Sequence, residues 1–386
     1  MITITKTEDL AKFCDECASQ PYVTVDTEFL RERTYYSQLC LVQMAYPGEG
    51  DENAVIIDPL AKGIDLSPMY ELFKNTDVVK VFHAARQDLE IFCVEGGVIP
   101  EPFFDTQIAA MVCGFGEQVG YEKLVRQIVK AGVDKSSRFT DWSRRPLSDK
   151  QKTYALADVT HLRVIYEYLD KQLTKTDRTS WVIEEEAILT DPTTYRIEPR
   201  DAWKRLKTRT TSGRFLAVVR ELAQFREITA QTRNIPRNRV IKDDALMELA
   251  SSRPKTYEDL NRSRLLLREA RKGAIADGIL AAVKAGEACP EDDLPTAPPV
   301  RVKKNGTESL GDLLRVLLKS KAEKYHVAPK LIATTSDLDA IANSDDDDVK
   351  ALSGWRKNVF GDDALRLRNG EIALSASPRG VKIIEL

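Results

Sequence analysis

The sequence predicts an α/β domain, built as a mixed β-sheet flanked by helices, followed by two all-α helical-bundle domains. Up to about residue 190, short runs of β-branched and aromatic residues alternate with helical patterns. The pattern is helix-rich from Tyr195 to Glu287, and a second helical region follows a proline-rich stretch. Alternation of strands and helices is typical of a sheet covered by helices, whereas helical patterns alone are typical of bundles.

Four strands are predicted in the first domain, near residues 22–27, 38–46, 54–57 and 78–82. A linker is predicted over residues 286–307 because prolines and a glycine interrupt any regular element there. These linker residues are Pro290, Pro295, Pro298, Pro299 and Gly306. The predicted domains are therefore residues 1–190, 195–286 and 308–377.

Two acidic residues stand on the first predicted strand. Residues 22–29 read YVTVDTEF, and side chains on a strand alternate between its faces, so Asp26 and Glu28 point the same way. Two anions on one face repel each other unless a cation lies between them, and their hard oxygen ligands suit Mg²⁺ or Mn²⁺. The alternative is a solvated strand end, where paired acids are harmless.

A helix carries the second group. Ser148 is a plausible N-cap, and apolar residues recur at helical spacing after it. Positions i and i+4 are neighbours on a helix, so Tyr154 and Asp158 share one face. Asp158 can ligate a metal while the Tyr154 hydroxyl orients a water molecule. The alternative is an ordinary helix with a half-buried tyrosine and an exposed aspartate.

A third acid, Asp88, lies between these two groups in the sequence. Residues 78–82 form a short apolar strand, and residues 83–95 are predicted to be helical, with Asp88 in the first turns. Asp88 alone indicates nothing. Together with the other three carboxylates and Tyr154, it completes a set that can hold two divalent cations around a phosphodiester, as in a metal-dependent nuclease.

The order of these groups resembles the DEDD superfamily of 3′→5′ exonucleases in its tyrosine-bearing branch. An Asp-x-Glu strand, an aspartate about sixty residues later and Tyr-x-x-x-Asp about seventy residues after that follow one another, with every acidic position filled. The surrounding residues resemble the ribonuclease D family. They are FLRERTYY at 29–36, LCLVQM at 39–44, FDT at 104–106 and DWSRRPL at 141–147.

This resemblance implies a ribonuclease-H-like fold for the first domain and a role for each catalytic position. Asp26, Glu28 and Asp158 would hold the metal that activates water, and Asp26 would bridge to a second metal. Asp88 would act mainly through coordinated water near the second metal, and Tyr154 would position the attacking water. The implied activity is that of a 3′→5′ exoribonuclease that releases nucleoside 5′-monophosphates, with precursors of tRNA as the expected substrate.

Four further residues are predicted to contact the substrate. The resemblance implies that the backbone at Thr27 approaches the terminal nucleotide. Phe29 is expected to stack on a base, although packing in the core is an equal alternative. His83 is expected to contact a phosphate or the terminal ribose, or else to cap the next helix. Arg145 is expected to bind a substrate phosphate.

The second domain is basic, which favours contact with nucleic acid. Residues 195–287 carry 21 Lys and Arg against 12 Asp and Glu, a net charge of +9, whereas the whole chain carries −3. The segment NIPRNRVIKDDALMEL at 234–249 resembles the helicase-and-ribonuclease-D C-terminal (HRDC) domain, and the third domain is predicted to be a diverged second copy. The expected contacts with the RNA backbone are Arg233, Arg237, Arg239 and Lys242. The alternative is a charged, solvated helix bundle.

Composition limits the remaining possibilities. No stretch approaches the roughly 18 apolar residues of a membrane span, and the N-terminus has no signal-peptide pattern. The six cysteines show no metal-ligand spacing beyond a lone Cys14-x-x-Cys17, which favours reduced thiols and a cytoplasmic protein. A monomer is expected. A DNA exonuclease and a catalytically silent nucleic-acid-binding protein remain as alternative functions.

Overall fold

The computed structural model describes residues 1–134, 136–208, 210–296, 306–346, 348–378 and 380–386. Residues 297–305 of the predicted linker lie outside these ranges. Within the described ranges, no helix combines the length and the apolar character that a membrane span requires.

The secondary structure follows the predicted succession of a strand-and-helix region and helical regions. The strands are β1 (Ile2–Ile4), β2 (Tyr22–Leu30), β3 (Gln38–Ala45), β4 (Ala54–Ile57), β5 (Val79–Phe82), β6 (Phe103–Asp105), β7 (Ile372–Ser377) and β8 (Gly380–Glu385). The α-helices of the first region are α1 (Thr7–Ala18), α2 (Ser67–Lys74), α3 (Arg86–Glu95), α4 (Thr106–Val112), α5 (Tyr121–Leu124), α6 (Asp149–Thr176) and α7 (Thr179–Thr190).

The remaining helices belong to the two helical regions. They are α8 (Gly213–Thr232), α9 (Arg237–Val240), α10 (Asp243–Ser252), α11 (Tyr257–Arg262), α12 (Ala274–Glu287), α13 (Thr307–Tyr325), α14 (Pro329–Ile332), α15 (Thr335–Ala342), α16 (Gly354–Arg356) and α17 (Asp362–Arg368). Short 3₁₀ segments lie at Pro192–Thr194, Pro199–Arg205, Arg268–Arg271, Glu291–Asp293 and Lys350–Leu352, and π-helical turns at Val125–Val129 and Lys357–Gly361.

A mixed sheet forms the centre of the first region, as predicted. Its strand order is β1-β4-β3-β2-β5-β6, with β2 antiparallel to β3 and parallel to β5. All four predicted strands are present, and β2 continues to Leu30 through an irregularity in register between Glu28 and Phe29. The strands β1 and β6 were not predicted, because three residues are too few to show an alternation of apolar and polar side chains.

The two faces of β2 contact different helices, and this decides where its side chains point. Tyr22 belongs to the core beneath α6, and the Thr24 hydroxyl donates to the Val159 carbonyl of α6 at 2.9 Å. Val23 and Val25 belong to the core that includes residues of α1, α2 and α3. By the same alternation, Asp26 and Glu28 face α6, and Thr27 faces the layer of α3.

Helix α6 begins where the sequence predicted. Ser148 accepts a hydrogen bond from the Gln151 amide, and the Gln151 side chain accepts one from the Ser148 amide, which forms a capping box. Its buried stripe packs on the sheet through Leu156, Val159 and Leu162. Packing and cap together hold the helix that carries Tyr154 and Asp158 in one orientation against β2.

Each helical region has its own buried core. One core joins residues from Ala202 to Val283, and the other joins residues from Leu314 to Ile372. Trp355 and Phe360 lie in the second of these cores. One addition to the predicted all-α architecture is the antiparallel hairpin of β7 and β8 at the end of the chain.

Helix α7 connects the third region to the sheet. Glu185 forms an ion pair with Arg356, both are almost completely buried, and the rings of Trp181 and Trp355 stack with centroids 4.4 Å apart. On the same helix, the Glu186 carboxylate accepts a hydrogen bond from the Asp105 amide at the end of β6. The third region is therefore fixed to a helix that also contacts an edge strand of the sheet.

Candidate active site

Three of the predicted catalytic carboxylates lie together. One oxygen atom from each of Asp26, Glu28 and Asp158 lies within 4.8 Å of the others. The first two project from one face of β2, and Asp158 projects from α6, which packs on that face. The strand period and the docking of the helix are thus sufficient to form an acidic cluster from two segments that are far apart in the sequence.

Asp88 reaches the same place from the opposite layer. It lies in the first turn of α3, is only 6% exposed, and accepts a hydrogen bond from the Thr27 hydroxyl. The bond to Thr27 places Asp88 beside the residue that separates Asp26 from Glu28, and the charge of Asp88 raises the pKa of both acids. Asp88 is not among the three residues of the tight cluster. Thr27, predicted to contact substrate, has its hydroxyl engaged with Asp88.

Burial and mutual repulsion favour the protonated forms of these acids. Burial raises the pKa of Asp26 well above its ordinary value, and the charges of Asp158, Asp88 and Glu28 raise it further. Burial and the charges of Asp158 and Asp88 raise the pKa of Glu28 to about 9. Burial raises the pKa of Asp88 and of Asp158 to about 7. A divalent cation can displace these protons and relieve the repulsion, so the cluster is suited to binding cations.

Tyr154 lies one helical turn before Asp158 and is close to that carboxylate. A hydrogen bond between the two side chains lowers the pKa of Asp158, while burial and the nearby carboxylates raise the pKa of Tyr154. The ring of Trp142 packs beside that of Tyr154, with centroids 6.0 Å apart. Tyr154 is therefore a neutral phenol with its ring held in place and its hydroxyl at the acidic cluster.

Tyr121 supports the cluster and was not predicted from the sequence. Its hydroxyl lies 2.9 Å from the Ala157 carbonyl and 2.8 Å from the Asp158 carbonyl, so it contacts the backbone that carries the carboxylate. Its ring lies 5.5 Å from the ring of His83. Nothing in the local sequence of α5 distinguishes Tyr121 from a core tyrosine, because its partners lie on another helix.

His83 and Phe29 are both partly enclosed by the protein. The Nδ1 atom of His83 lies 3.0 Å from the Thr106 hydroxyl, which donates to the Phe82 carbonyl, so Nδ1 donates to Thr106. Burial lowers the pKa of His83 and favours its neutral form. Phe29 is half-buried and packs against the core on the α3 side of the sheet. This contact matches the core-packing alternative for Phe29.

Arg145 does not have the free guanidinium that a phosphate contact requires. Its Nε and Nη2 atoms form a two-point ion pair with Asp58, each at 2.7 Å. Its other N–H groups donate to the carbonyls of Cys40, Trp142 and Arg144. All five donors of this side chain are engaged within the protein, which leaves none of them free for the predicted phosphate contact.

The basic residues of the second region fall into two groups. Arg237 forms an ion pair with Glu227, whose side chain is 1% exposed, and its guanidinium lies 4.7 Å from the ring centroid of Tyr35. The contact with Tyr35 joins the second region to the segment that follows β2. Arg233, Arg239 and Lys242 are exposed.

Comparisons with known proteins agree with this fold and cluster. A family model described as a 3′-5′ exonuclease matches residues 1–174, and one described as an HRDC domain matches residues 215–283. Ribonuclease D of Jannaschia sp. (strain CCS1) is 64% identical over 384 residues, which cover 100% of this chain and 99% of that protein. Ribonuclease D of Granulibacter bethesdensis is 48% identical, covering 99% of this chain and 96% of its own length.

A solved structure shows the same architecture over nearly the whole chain. The crystal structure of Escherichia coli RNase D, an exoribonuclease involved in structured RNA processing, matches with a TM-score of 0.83 at 28% identity. The match covers 95% of this chain and 98% of that chain. The sheet, the acidic cluster and these matches together define a 3′→5′ exonuclease with helical extensions.

The chain belongs to the ribonuclease D family. It is a hydrolase that degrades RNA from the 3′ end, so the alternatives of a DNA exonuclease and of a silent binding protein are set aside. Exonucleases of this kind use divalent metal ions, and buried carboxylate oxygens with surplus negative charge are suitable ligands for such ions.

Binding of a divalent cation should stabilise the protein more at pH 8 than at pH 6. The carboxylates have pKa values of about 7 for Asp88 and Asp158 and about 9 for Glu28, raised in the folded state. Without a cation, the contribution of these three groups to stability is therefore fully present below their ordinary pKa values and is lost as the pH rises through the raised values. The measurement is the unfolding temperature after EDTA treatment, with and without MgCl₂ or MnCl₂; a cation at about 100 times its Kd contributes roughly 2.7 kcal/mol.

The control is NaCl at matched ionic strength, which should not raise the unfolding temperature to a comparable extent. Equal gains from the divalent cation at pH 6 and pH 8 would contradict the electrostatic description of the cluster, because protons and cations would then not compete for the same carboxylates.

Arg145→Ala should destabilise the protein without a specific loss of RNA affinity. The substitution leaves Asp58, whose side chain is 10% exposed, without its cationic partner, and removal of one partner of a buried pair costs about 3 kcal/mol. Chemical denaturation and RNA binding by the folded variant are the measurements. Arg144→Ala is the matched control, because that side chain is 84% exposed and its ion pair contributes less than about 1 kcal/mol. Normal stability with weakened RNA binding would restore the original prediction.

Proposed function

We propose that Asp26, Glu28, Asp88 and Asp158 bind two divalent cations, Mg²⁺ or Mn²⁺, and that these carboxylates form the active site with Tyr154. The observation that supports this most directly is the approach of three carboxylates from β2 and α6 to within 4.8 Å of one another. Asp26, Glu28 and Asp158 would hold one cation, with Asp26 shared with the second and Asp88 near the second. When bound, such cations lower the pKa of water, making it a nucleophile, and neutralise the charge that develops on the phosphoryl oxygens.

The surrounding residues hold the site in a fixed geometry. Tyr154, kept neutral by burial, offers a hydroxyl at the cluster that can orient the attacking water. Thr27 holds Asp88 through a hydrogen bond across the end of the sheet, and Tyr121 holds the backbone at Asp158. The backbone at Thr27, together with Phe29 and His83, would contact the terminal nucleotide. The product is a nucleoside 5′-monophosphate.

The substrate proposed here is structured RNA with a single-stranded 3′ end, such as a precursor of tRNA. Two observations support it. The E. coli relative is described as acting in structured RNA processing, and the second region of this chain matches the HRDC domain and carries a net charge of +9. Arg233, Arg239 and Lys242 are exposed and would contact RNA phosphates without reading the sequence, whereas Arg237 is engaged with Glu227.

The organisation of the chain completes the proposal. Residues 1–190 form the exonuclease domain, residues 195–286 an HRDC domain, and residues 308–377 a diverged HRDC-like domain whose separate core supports this division. We propose a monomeric protein that works in the cytoplasm, since all six cysteines are free thiols.

Asp26→Asn should abolish hydrolysis and leave folding and RNA binding largely intact. The amide removes the negative charge that the cations require, and we expect turnover to fall by at least about 10²-fold. The measurement is shortening of a 5′-labelled tRNA precursor with a 3′ extension, in Mg²⁺ or Mn²⁺ and in EDTA, together with a binding assay. Asp15→Asn, which removes an exposed acid on α1, is the matched control.

Retained hydrolysis in Asp26→Asn would contradict the proposed active site. Shortening of an unstructured RNA but not of the precursor would instead leave the site intact and contradict the proposed substrate.

A further inference from the structure

Phe139 is an aromatic residue almost fully exposed to solvent. Its exposed fraction is 89%, the highest among the large hydrophobic side chains that the structure describes, and higher than that of the terminal residues Met1 and Leu386. Single exposed hydrophobic residues are common, so exposure alone carries no conclusion. The surroundings of Phe139 decide what this exposure means.

The segment around Phe139 is attached to the helix that carries Tyr154 and Asp158. The Gln151 side chain of α6 donates to the Thr140 hydroxyl at 3.1 Å, and Thr140 donates to the Ser137 carbonyl at 2.8 Å. Ser137 is 4% exposed, so the residues on either side of Arg138 and Phe139 are held while the Phe139 ring remains in solvent. The same segment continues to Trp142, whose ring packs beside Tyr154.

Arg138 places a positive charge beside the acidic cluster. Its charge lowers the pKa of Glu28 and of Asp158, and its guanidinium lies 5.2 Å from the centroid of the Phe139 ring. Among the residues that the structure describes, Arg138 forms no ion pair, and its side chain is exposed. Unlike Arg145 in the same segment, Arg138 thus has donors available for an external anion.

An exposed aromatic ring and a neighbouring cation are the two elements that bind single-stranded nucleic acid. Bases stack on aromatic rings regardless of their identity, and arginine binds the phosphates between them. Tolerance of any base is also what an exonuclease requires, because each nucleotide in turn becomes the terminal one. With 89% of the Phe139 side chain exposed and the Arg138 guanidinium 5.2 Å from the ring centroid, most of the ring is available for this role.

We propose that Arg138 and Phe139 form a nucleotide-holding subsite at the mouth of the active site. Phe139 stacks on one base near the 3′ end of the RNA, and Arg138 contacts an adjacent phosphate. The subsite rests on the proposed active site. It orients the last nucleotides of the substrate relative to the carboxylates, and both residues are positioning residues for the known reaction.

The test of Phe139 compares variants on RNA that lacks single bases. The substrates are 5′-labelled hairpins with a 3′ single strand, either intact or abasic at the first, second or third nucleotide from the 3′ end. Phe139→Ala should lower kcat/KM on the intact RNA about tenfold, mainly through KM, and Phe139→Trp should restore it. On RNA that is abasic at one of these positions, the wild-type and Phe139→Ala enzymes should have the same kcat/KM, because the base that would stack on Phe139 is missing.

Ile183→Ala is the matched control, because it truncates another apolar side chain that is 63% exposed. It should change neither kcat/KM nor KM. Unfolding temperatures of all variants establish that they are folded. A Phe139→Ala enzyme equal to wild type on intact RNA overturns the subsite. The subsite is also overturned if Phe139→Ala lowers kcat/KM by the same factor at every abasic position, since a structural defect would have that effect.

The test of Arg138 is the salt dependence of RNA binding. Arg138→Ala should reduce the slope of log Kd against log salt by about 0.7, the value for one phosphate contact with a single strand. Arg126→Ala is the control and should not change the slope, because Arg126 is exposed but pairs with Glu122 at 2.7 Å. An unchanged slope in Arg138→Ala overturns the phosphate contact. Failure of the wild-type enzyme to shorten any RNA would overturn the active site and the subsite together, whereas normal wild-type turnover with unaffected variants overturns the subsite alone.

Discussion

Repulsion among buried carboxylates is the constraint on which the rest of this structure depends. The cluster brings oxygen atoms of Asp26, Glu28 and Asp158 within 4.8 Å of one another, and Asp88 contacts the neighbouring Thr27. Burial raises the pKa of all four acids. Such an arrangement lowers the stability of the metal-free protein, so the surrounding fold must hold it. A divalent cation offsets the repulsion, and the requirement for one in catalysis follows from the same electrostatics.

The positions of these acids are maintained by hydrogen bonds that span the sheet and its two layers. Thr27 holds Asp88 from β2, Tyr121 contacts the backbone at Asp158, and the capping box at Ser148 fixes the start of the catalytic helix. Beyond the sheet, a hydrogen bond and a buried ion pair attach the helical regions. The hydroxyl of Tyr35, in the segment that follows β2, donates to Glu227 of the second region, and Glu185 of α7 pairs with Arg356 of the third region. Polar contacts inside the protein thus connect both helical regions to the region that carries the acidic cluster.

Much of the site could be predicted because its residues obey local periodicities. The strand period places Asp26 and Glu28 on one face, and the helical period aligns Tyr154 with Asp158 behind a recognisable N-cap. The ion pair of Arg145 was not predicted, because its partner Asp58 is 87 residues away and no local signal reveals the pair. Tyr121 and Arg138 were missed for the same reason, since only their long-range contacts distinguish them. The strands β1 and β6 were missed because three residues are too few to show an alternation of side chains.

The most direct measurement is an anomalous difference map from crystals of the protein soaked in MnCl₂ at pH 8. The electrostatic description of the cluster predicts a peak within bonding distance of carboxylate oxygens from Asp26, Glu28 and Asp158, because these oxygens form the most concentrated negative charge in the site. Manganese bound elsewhere in the crystal, with no peak between these three carboxylates, would contradict it.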